Sequence, residues 1–370
     1  GLGRPHREIR LVRPTHAEID LKAIRDNIEE LASKIAPSQM CVVVKADAYG
    51  HGDVPVAIAA QEAGARWLAV ALVEEGARLR EAGIEAPILV LSEPPAEDAT
   101  ELVRWGLTPT AYSPSFLDAL GSSGAVCDVH IKVDTGMHRV GARPAMLPEL
   151  MKTLATHPNL ELGGLWTHFA VADEDSAFTR AQIDDFDEAM EGYEAPLVHM
   201  ANTAGALLFP QARRDMCRIG LGIYGLHPCA ATREVAQLTP AMRIVSRVSH
   251  VQHLDAGARP SYGRIRELQS DGPVATVPIG YADGFPRRLS DTSLALVGGR
   301  RRQLAGMVTM DQLVLDLTGS DVSVGDEVVL LGTQGAESIG ADEWAESLGT
   351  ISYEVVCGIG PRVPRRYVDE

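Results

Sequence analysis

Between about Thr15 and Pro240 the chain alternates short apolar runs with amphipathic helical patterns, and this alternation constrains its fold more than any other feature. The candidate strands are Ala17–Ile19, Cys41–Val44, Trp67–Ala71, Ile88–Leu91, Leu107–Ala111, Val129–Val133, Gly164–Thr167, Leu197–Met200 and Arg218–Gly220. The clearest helix is Leu21 to Ile35, where Leu21, Ile24, Ile28, Leu31 and Ile35 form one apolar stripe behind Asp20 as N-cap. Further helical patterns cover Val54–Glu62, Glu74–Ala82, Ala96–Trp105, Ser115–Leu120, Leu147–His157 and Ser176–Met190. Strands separated by helices at a spacing of roughly 20–35 residues indicate βαβ units and a parallel sheet. About eight such units fit an eight-stranded (β/α)8 TIM-like barrel in length. A doubly wound open sheet also fits the alternation, but the one GxGxxG, Gly220 to Gly225, follows the last of these strands rather than the first.

After Met242 the texture changes. Short β-rich segments separated by Gly, Asp and Pro (Ile244–Leu254, Val274–Ile279, Leu294–Val297, Gln303–Thr309, Leu313–Leu317 and Glu327–Leu331) predict a mostly antiparallel β domain. Helical periodicity returns only near Asp342–Leu348. The expected division is an α/β barrel over residues 14–242 and a β domain over 243–370, with residues 1–13 packing against the latter. The 370 residues suffice for two domains.

The charge of −16 argues against nucleic acid or an anionic membrane as partner. No apolar stretch approaches the roughly 20 residues needed to span a bilayer. The basic N-terminus, Gly1 to Pro14, lacks the apolar centre of a signal peptide. The five cysteines (Cys41, Cys127, Cys217, Cys229, Cys357) are odd in number and form no CxxC pair. A disulfide framework or a zinc site is therefore not expected, and a reducing, cytoplasmic compartment is.

Residues 41 to 52 read Cys-Val-Val-Val-Lys-Ala-Asp-Ala-Tyr-Gly-His-Gly. An apolar strand here delivers Lys45 to its end, followed by a turn carrying Tyr49. Burying an ammonium is costly, so Lys45 either snorkels to water or is used as an amine. A desolvated lysine forms a Schiff base with an aldehyde such as pyridoxal phosphate (PLP). Other polar residues stand at the predicted C-terminal strand ends, where barrel active sites are built. They are Arg139 after Val133-Asp134-Thr135-Gly136-Met137-His138, His168 after Leu165-Trp166-Thr167, and His199, Asn202 and Thr203 after Pro196-Leu197-Val198. Arg218 opens onto Gly220, Gly222 and Gly225. Singly, each has an ordinary explanation: a core histidine, a turn glycine or a surface ion pair. Together they make a cationic mouth suited to phosphate and carboxylate groups.

In the second part, Tyr281 lies between glycines in Ile279-Gly280-Tyr281-Ala282-Asp283-Gly284. Such a turn is either simple hairpin chemistry or a way to present a phenol to a site. A phenol titrates near pH 10 and needs cationic neighbours to act as a base at neutral pH. Ala305-Gly306-Met307-Val308-Thr309-Met310-Asp311-Gln312 is its companion, with Ile351-Ser352-Tyr353-Glu354 and Arg362-Val363-Pro364-Arg365 as weaker signals.

These motifs resemble, over nearly the whole chain, the PLP-dependent alanine racemases. Val44-Lys45-Ala46-Asp47-Ala48-Tyr49-Gly50-His51-Gly52 is similar to the family's PLP-lysine motif. Lys132-Val133-Asp134-Thr135-Gly136-Met137, Gly280-Tyr281-Ala282-Asp283-Gly284 and Met310-Asp311-Gln312 follow in the family's order. The resemblance implies a head-to-tail homodimer with shared active sites and alanine as substrate. It implies that Lys45 holds PLP and acts as one base, and that Tyr281 of the other subunit is the second. It implies Arg218 at the pyridine nitrogen with His168 behind it. Tyr49, Asn202, Thr203, Gly220, Leu221 and Tyr353 would complete the cofactor site, mostly at its phosphate. Arg139 and the Met310 backbone would meet the substrate carboxylate, with Lys132, often a carbamate in the family, and Asp311 in support. An arginine at the pyridine nitrogen disfavours its protonation and limits side reactions.

The chain departs from the family pattern in three places. His138 replaces a small residue, and Thr203 replaces the usual serine. Met307 stands where an arginine commonly pairs with an acidic residue of the other subunit, a position matched by Asp173. A racemase of altered selectivity, for serine or a related small amino acid, is the nearest alternative. A barrel-type PLP decarboxylase would carry an acid in place of Arg218, and a PLP-binding barrel alone would lack the β domain with Tyr281.

Overall fold

The computed structural model describes residues 13–369. It separates into two compact units, one of residues 20–241 with residues 368–369, the other of residues 13–19 with residues 242–367. The expectation that residues 1–13 pack on the β domain falls almost wholly outside the described residues. Among those, no helix is long and apolar enough to cross a membrane.

The first strand, β1 (His16–Asp20), corrects the sequence reading. The apolar run Ala17–Ile19 was expected to open the strand-helix alternation. It pairs antiparallel instead, His16 opposite Val245 and Ile19 opposite Met242. Period and composition do not distinguish a parallel from an antiparallel partner, and a three-residue run carries neither signal well.

The α/β unit holds β2 (Gln39–Val43), β3 (Trp67–Val70), β4 (Ile88–Val90), β5 (Thr110–Ala111), β6 (Cys127–Lys132), β7 (Leu160–Trp166), β8 (Leu197–His199) and β9 (Met216–Ile219). They form two four-stranded parallel sheets, ordered β4-β3-β2-β9 and β5-β6-β7-β8. Most of these strands read as continuous apolar runs because both faces are covered. Backbone bonds also run between the sheet edges. Leu89 bridges Thr108 in parallel. Asp215 N donates to Val198 O at 3.1 Å, and Arg218 N donates to Ala201 O at 2.9 Å.

The helix Leu21–Ile35 forms as its stripe requires, burying Ile24, Ile28, Leu31 and Ile35. Asp20 caps it by accepting from Ala23 N at 3.0 Å. Asn27, a polar residue on the buried face, was not expected there. Its amide donates to Ile223 O and Thr239 O, and its oxygen accepts from Thr239 N. A buried amide satisfied in this way fixes backbone. Here it tethers the segment that follows β9, which carries Gly220 and Leu221.

The second unit is β-rich, as expected. Its strands are β10 (Met242–Arg247), β11 (His250–Leu254), β12 (Gly272–Val277), β13 (Leu294–Val297), β14 (Arg300–Gln303), β15 (Leu313–Asp316), β16 (Glu327–Gln334), β17 (Glu337–Ile339) and β18 (Arg365–Val368). One sheet runs β14-β13-β16-β10-β1-β18 with β17 on β16, and a three-stranded sheet runs β11-β12-β15. The resolved pairings here are all antiparallel.

Candidate active site

Lys45 follows β2 and begins a turn of unusual hand. Ala46, Asp47, Ala48 and Tyr49 all have φ between 51° and 54°. L-residues avoid this region at about 1–2 kcal/mol each, so the surroundings must hold the turn. The sequence suggests that glycines carry this bend; instead four non-glycine residues do. Glu75 is the main restraint. Its Oε1 accepts from Ala46 N at 2.6 Å, and its Oε2 accepts from Ala71 N and Leu72 N at 2.8 and 3.1 Å. Ala48 N donates to Val44 O, and Gly52 N donates to Asp47 O. The turn leaves Lys45 half-buried and tucks the Tyr49 ring against Tyr224, with centroids 4.9 Å apart. Tyr224 is itself fixed by its hydroxyl, which donates to Val43 O.

Tyr49 points its phenol at the segment after β9. A Cβ on Gly220 would lie 2.5 Å from Tyr49 Oη, so any larger residue there must move the phenol. Gly220 N donates to Thr203 Oγ1 at 3.3 Å. Leu221 follows, opening a short 3₁₀ turn. Asn202 is occupied as a helix cap, its side-chain oxygen accepting from Gly205 N at 2.9 Å.

Arg218 is the buried centre of the unit. Its Nη1 donates to His199 Nδ1 at 2.7 Å. Its Nη2 lies 2.8 Å from Thr167 O, 3.1 Å from His168 Nδ1 and 3.1 Å from Met200 O. The guanidinium also sits 4.4 Å over the Trp166 ring. Every one of these partners is neutral, and among the described residues no carboxylate forms an ion pair with Arg218. Burial lowers Arg218 to about 10, which leaves it charged at neutral pH. Burial and the Arg218 charge hold His168 and His199 well below the ordinary histidine range. Because Arg218 only donates, His199 Nδ1 must accept; its proton is then on Nε2 and is donated to His130 Nδ1 at 2.9 Å. Burial pushes His130 down to about 3. Room for His130 comes from Gly163 and Gly164, where a Cβ would approach the imidazole to 3.2 and 2.7 Å.

Lys132 ends β6 on the same face as His130. Its ammonium position is 4.3 Å from the Trp166 centroid. Burial, then the charges of Arg218 and Arg139, lower it to about 7, with Asp134 opposing and Lys45 adding to the fall. The next loop turns at His138, whose φ is 51°. Asp134 holds the loop, its Oδ1 accepting from Gly136 N and His138 N and its Oδ2 lying 3.1 Å from His138 Nδ1. Histidine tolerates this backbone better than most residues, and its ring supplies a contact that a small residue lacks. Arg139, next along, is exposed.

In the β unit, Tyr281 opens a 3₁₀ turn, Tyr281–Asp283. Tyr281 N donates to Thr309 O at 3.0 Å and Ala282 N donates to Met310 O at 3.1 Å, so the tyrosine turn and the Met310 segment are one backbone assembly. Asp311 accepts from Arg362 Nη2 at 2.7 Å. Tyr353 lies on the helix Ser352–Cys357, and Met307 Sδ accepts from Ser290 Oγ at 3.3 Å. Asp173, in the α/β unit, is exposed.

Apart from Asn202, which caps the helix Thr203–Leu208, and Tyr353 on the helix Ser352–Cys357, the predicted residues fall into three groups. Lys45, Lys132, Arg139, His168 and Arg218 act on one another through charge. Tyr49, Thr203, Gly220 and Leu221 form a small polar cradle. Tyr281, Met310 and Asp311 share one edge of the β unit. Sequence reasoning missed Glu75, His130 and Asp283. His130 had a usable signal: Asp128, His130 and Lys132 repeat with period two opposite the apolar Val129, Ile131 and Val133.

The chain thus combines a two-unit α/β and β architecture with a lysine at a strand end and a buried cationic cluster beside it. The alanine racemase N-terminal domain model matches residues 19–228, and the C-terminal domain model matches residues 241–367. The chain is 44% identical to the alanine racemase of Symbiobacterium thermophilum, over 97% of this chain and 98% of that one. It is 41% identical to that of Halothermothrix orenii, over 97% and 98%. Its fold matches the crystal structure of alanine racemase from Bacillus anthracis with bound L-Ala-P (TM-score 0.91, 38% identity, 97% of this chain and 96% of that one). It also matches the enzyme from E. faecalis (TM-score 0.92, 36% identity, 97% and 100%). The chain belongs to the alanine racemase family, and its enzyme class is that of the alanine racemases, an isomerase.

Proposed function

We propose that this protein interconverts L- and D-alanine with PLP, using Lys45 as one base and Tyr281 of a second copy as the other. The observation that carries the reading is Arg218. It is a buried cation held by neutral acceptors, and it takes the place that an acid would occupy in a decarboxylase of similar architecture. PLP, when bound, would delocalise the charge left on Cα after proton removal. The residues fit it. Gly220, where a Cβ would press on the Tyr49 hydroxyl, would form with Tyr49, Thr203 and Leu221 a cradle for its phosphate, with Asn202 capping the adjacent helix and Tyr353 assigned to the same end. Lys45 would carry the cofactor. Arg218 would donate to the pyridine nitrogen without giving up its proton, with His168 fixing its orientation.

Arg139 and the backbone of Met310 would bind the alanine carboxylate, and Asp311 would support Met310. Lys132, lowered to about 7 and so partly neutral at pH 7, is suited to take up CO2 as a carbamate and so to brace Arg139. With the substrate fixed, a lysine on one face and a phenol on the other exchange the Cα proton without turning the molecule over. The reading entails a cytoplasmic homodimer with shared sites. We also read the α/β unit as a closed (β/α)8 barrel. The parallel Leu89–Thr108 bridge and the bonds from Asp215 and Arg218 to Val198 and Ala201 support closure at both sheet edges.

The test is chiral analysis of each amino acid after incubation with the PLP-loaded enzyme in deuterated water. The expected result is that either hand of alanine gives both hands, with deuterium at Cα. Exchange without inversion, or inversion of serine in preference to alanine, would overturn the assignment.

A further inference from the structure

We propose that Arg362 is a positioning residue for Tyr281. By bridging Asp283 and Asp311 it fixes the turn that presents the phenol and the Met310 backbone beside it. The proposal rests on the reading of Tyr281 as a base.

The starting point is Asp283, a carboxylate with 0% exposure two residues beyond the tyrosine. A buried charge survives only when it is paired and hydrogen-bonded. Asp283 Oδ2 accepts from Gly280 N at 3.0 Å, which closes the turn around Tyr281. Its Oδ1 accepts from Arg13 Nη1 at 2.8 Å and lies 3.3 Å from Arg362 Nε. Arg362 then reaches across, its Nη2 donating to Asp311 Oδ1 at 2.7 Å. Arg13 Nη2 donates to the Arg362 carbonyl at 2.7 Å and so fixes the bridge at its base.

Two arginines and two aspartates therefore form a charge-balanced clamp across the two strands of chain that bear Tyr281 and Met310. The backbone leaves little slack around it. Gly360 N donates to Asp283 O at 2.9 Å. A Cβ on Gly280 would meet Thr309 O, and one on Gly284 would meet Gly358 O, each at 2.2 Å. The Tyr281 ring is 43% exposed, so its aim depends on this turn more than on packing. The Arg362 and Asp311 side chains are themselves 46% and 58% exposed, so the bridge can be cut without opening a cavity.

The test uses PLP-loaded enzyme carrying Arg362→Met, Arg362→Lys, Asp311→Asn or Tyr281→Phe. For each, kcat and KM are measured from both hands of alanine, along with the isotope effect on Cα-deuterated L- and D-alanine and the melting temperature. Misaiming a reacting group typically costs about ten- to a hundredfold. Arg362→Met should lower kcat by that order, with a smaller rise in KM through the Met310 backbone. It should raise the isotope effect for one hand of alanine only, the same hand that responds to Tyr281→Phe. Asp311→Asn should do the same more weakly, and Arg362→Lys should recover part of the loss. If Arg362→Met does not fold, Asp311→Asn carries the test. Unchanged isotope effects for both hands in the clamp variants overturn the proposal, even if the melting temperature falls. If Tyr281→Phe itself changes neither rate nor isotope effect, the reading of Tyr281 fails first and the proposal falls with it.

Discussion

Lys45 and Tyr281 are presented by two turns that share one device and differ in everything around it. Each turn is closed by a buried carboxylate that accepts a backbone N–H next to the reactive residue: Glu75 from Ala46 N and Asp283 from Gly280 N. The lysine turn is left-handed over four non-glycine residues and stores strain. The tyrosine turn is an ordinary 3₁₀ turn bounded by glycines. The lysine side is buried and rich in positive charge, with histidines forced neutral. The tyrosine side is open and balanced in charge. A lysine is useful as a base only when its proton is easily lost, which burial and neighbouring cations promote. On the proposed reading, a phenol brought by another chain has to stay exposed before the site is assembled. The comparison teaches that environment sets the chemistry, while a carboxylate under the turn sets the geometry.

The largest effect that can break this comparison is at Lys45. Lys45→Ala should lower racemisation by at least about 10²–10⁴-fold, the range expected for a lost acid–base group. It should also abolish borohydride-stable attachment of the cofactor, read by peptide mapping. A label on any other lysine contradicts the account. Next is the strained turn. Glu75→Gln keeps the size but exchanges one acceptor oxygen for a donor facing backbone N–H groups. A buried unsatisfied group costs about 1–3 kcal/mol, so thermal unfolding should move down accordingly and activity should fall with it. An unshifted melting curve would mean that the left-handed turn needs no such support.

Gly220→Ala probes the cradle. Its methyl would displace the Tyr49 hydroxyl, and cofactor binding measured by absorbance titration should weaken about tenfold, equivalent to about 1.4 kcal/mol. The smallest expected effect is a pH response at Lys132. Its pKa is lowered from 10.5 to about 7, so the neutral amine accumulates as pH rises through 7. A carbamate carbon signal under ¹³CO2 should therefore grow from pH 6 to pH 8 and vanish in Lys132→Met. A signal that is flat with pH would contradict the assigned environment.

Much of this was legible in the sequence for identifiable reasons. Lys45 and Arg218 interrupt apolar runs at strand ends, where a charge is costly and so conspicuous. The helices Leu21–Ile35 and Ser176–Met190 have caps and periodicity that agree with each other, and both form over those residues. What could not be read depends on contacts remote in sequence. Glu75 looks like an ordinary first-turn glutamate, and only the fold brings it under Ala46, 29 residues away. Asp283 is conspicuous as part of a motif, but its partners Arg13 and Arg362 come from the two ends of the chain. The left-handed turn is hidden because Ala46, Asp47 and Ala48 carry no glycine-like signature. The run Ala17–Ile19 was assigned to the wrong sheet because three apolar residues cannot specify a partner.

The central claim is that the two bases come from two chains, and subunit mixing tests it directly. Lys45→Ala and Tyr281→Phe, each nearly inactive, are unfolded, combined in equal amounts and refolded together with PLP. In a shared-site dimer, half of the randomly formed dimers carry one fully intact site of two, so roughly a quarter of wild-type activity should return. If both bases belonged to one chain, every site would keep one lesion and no activity above that of the separate variants would appear.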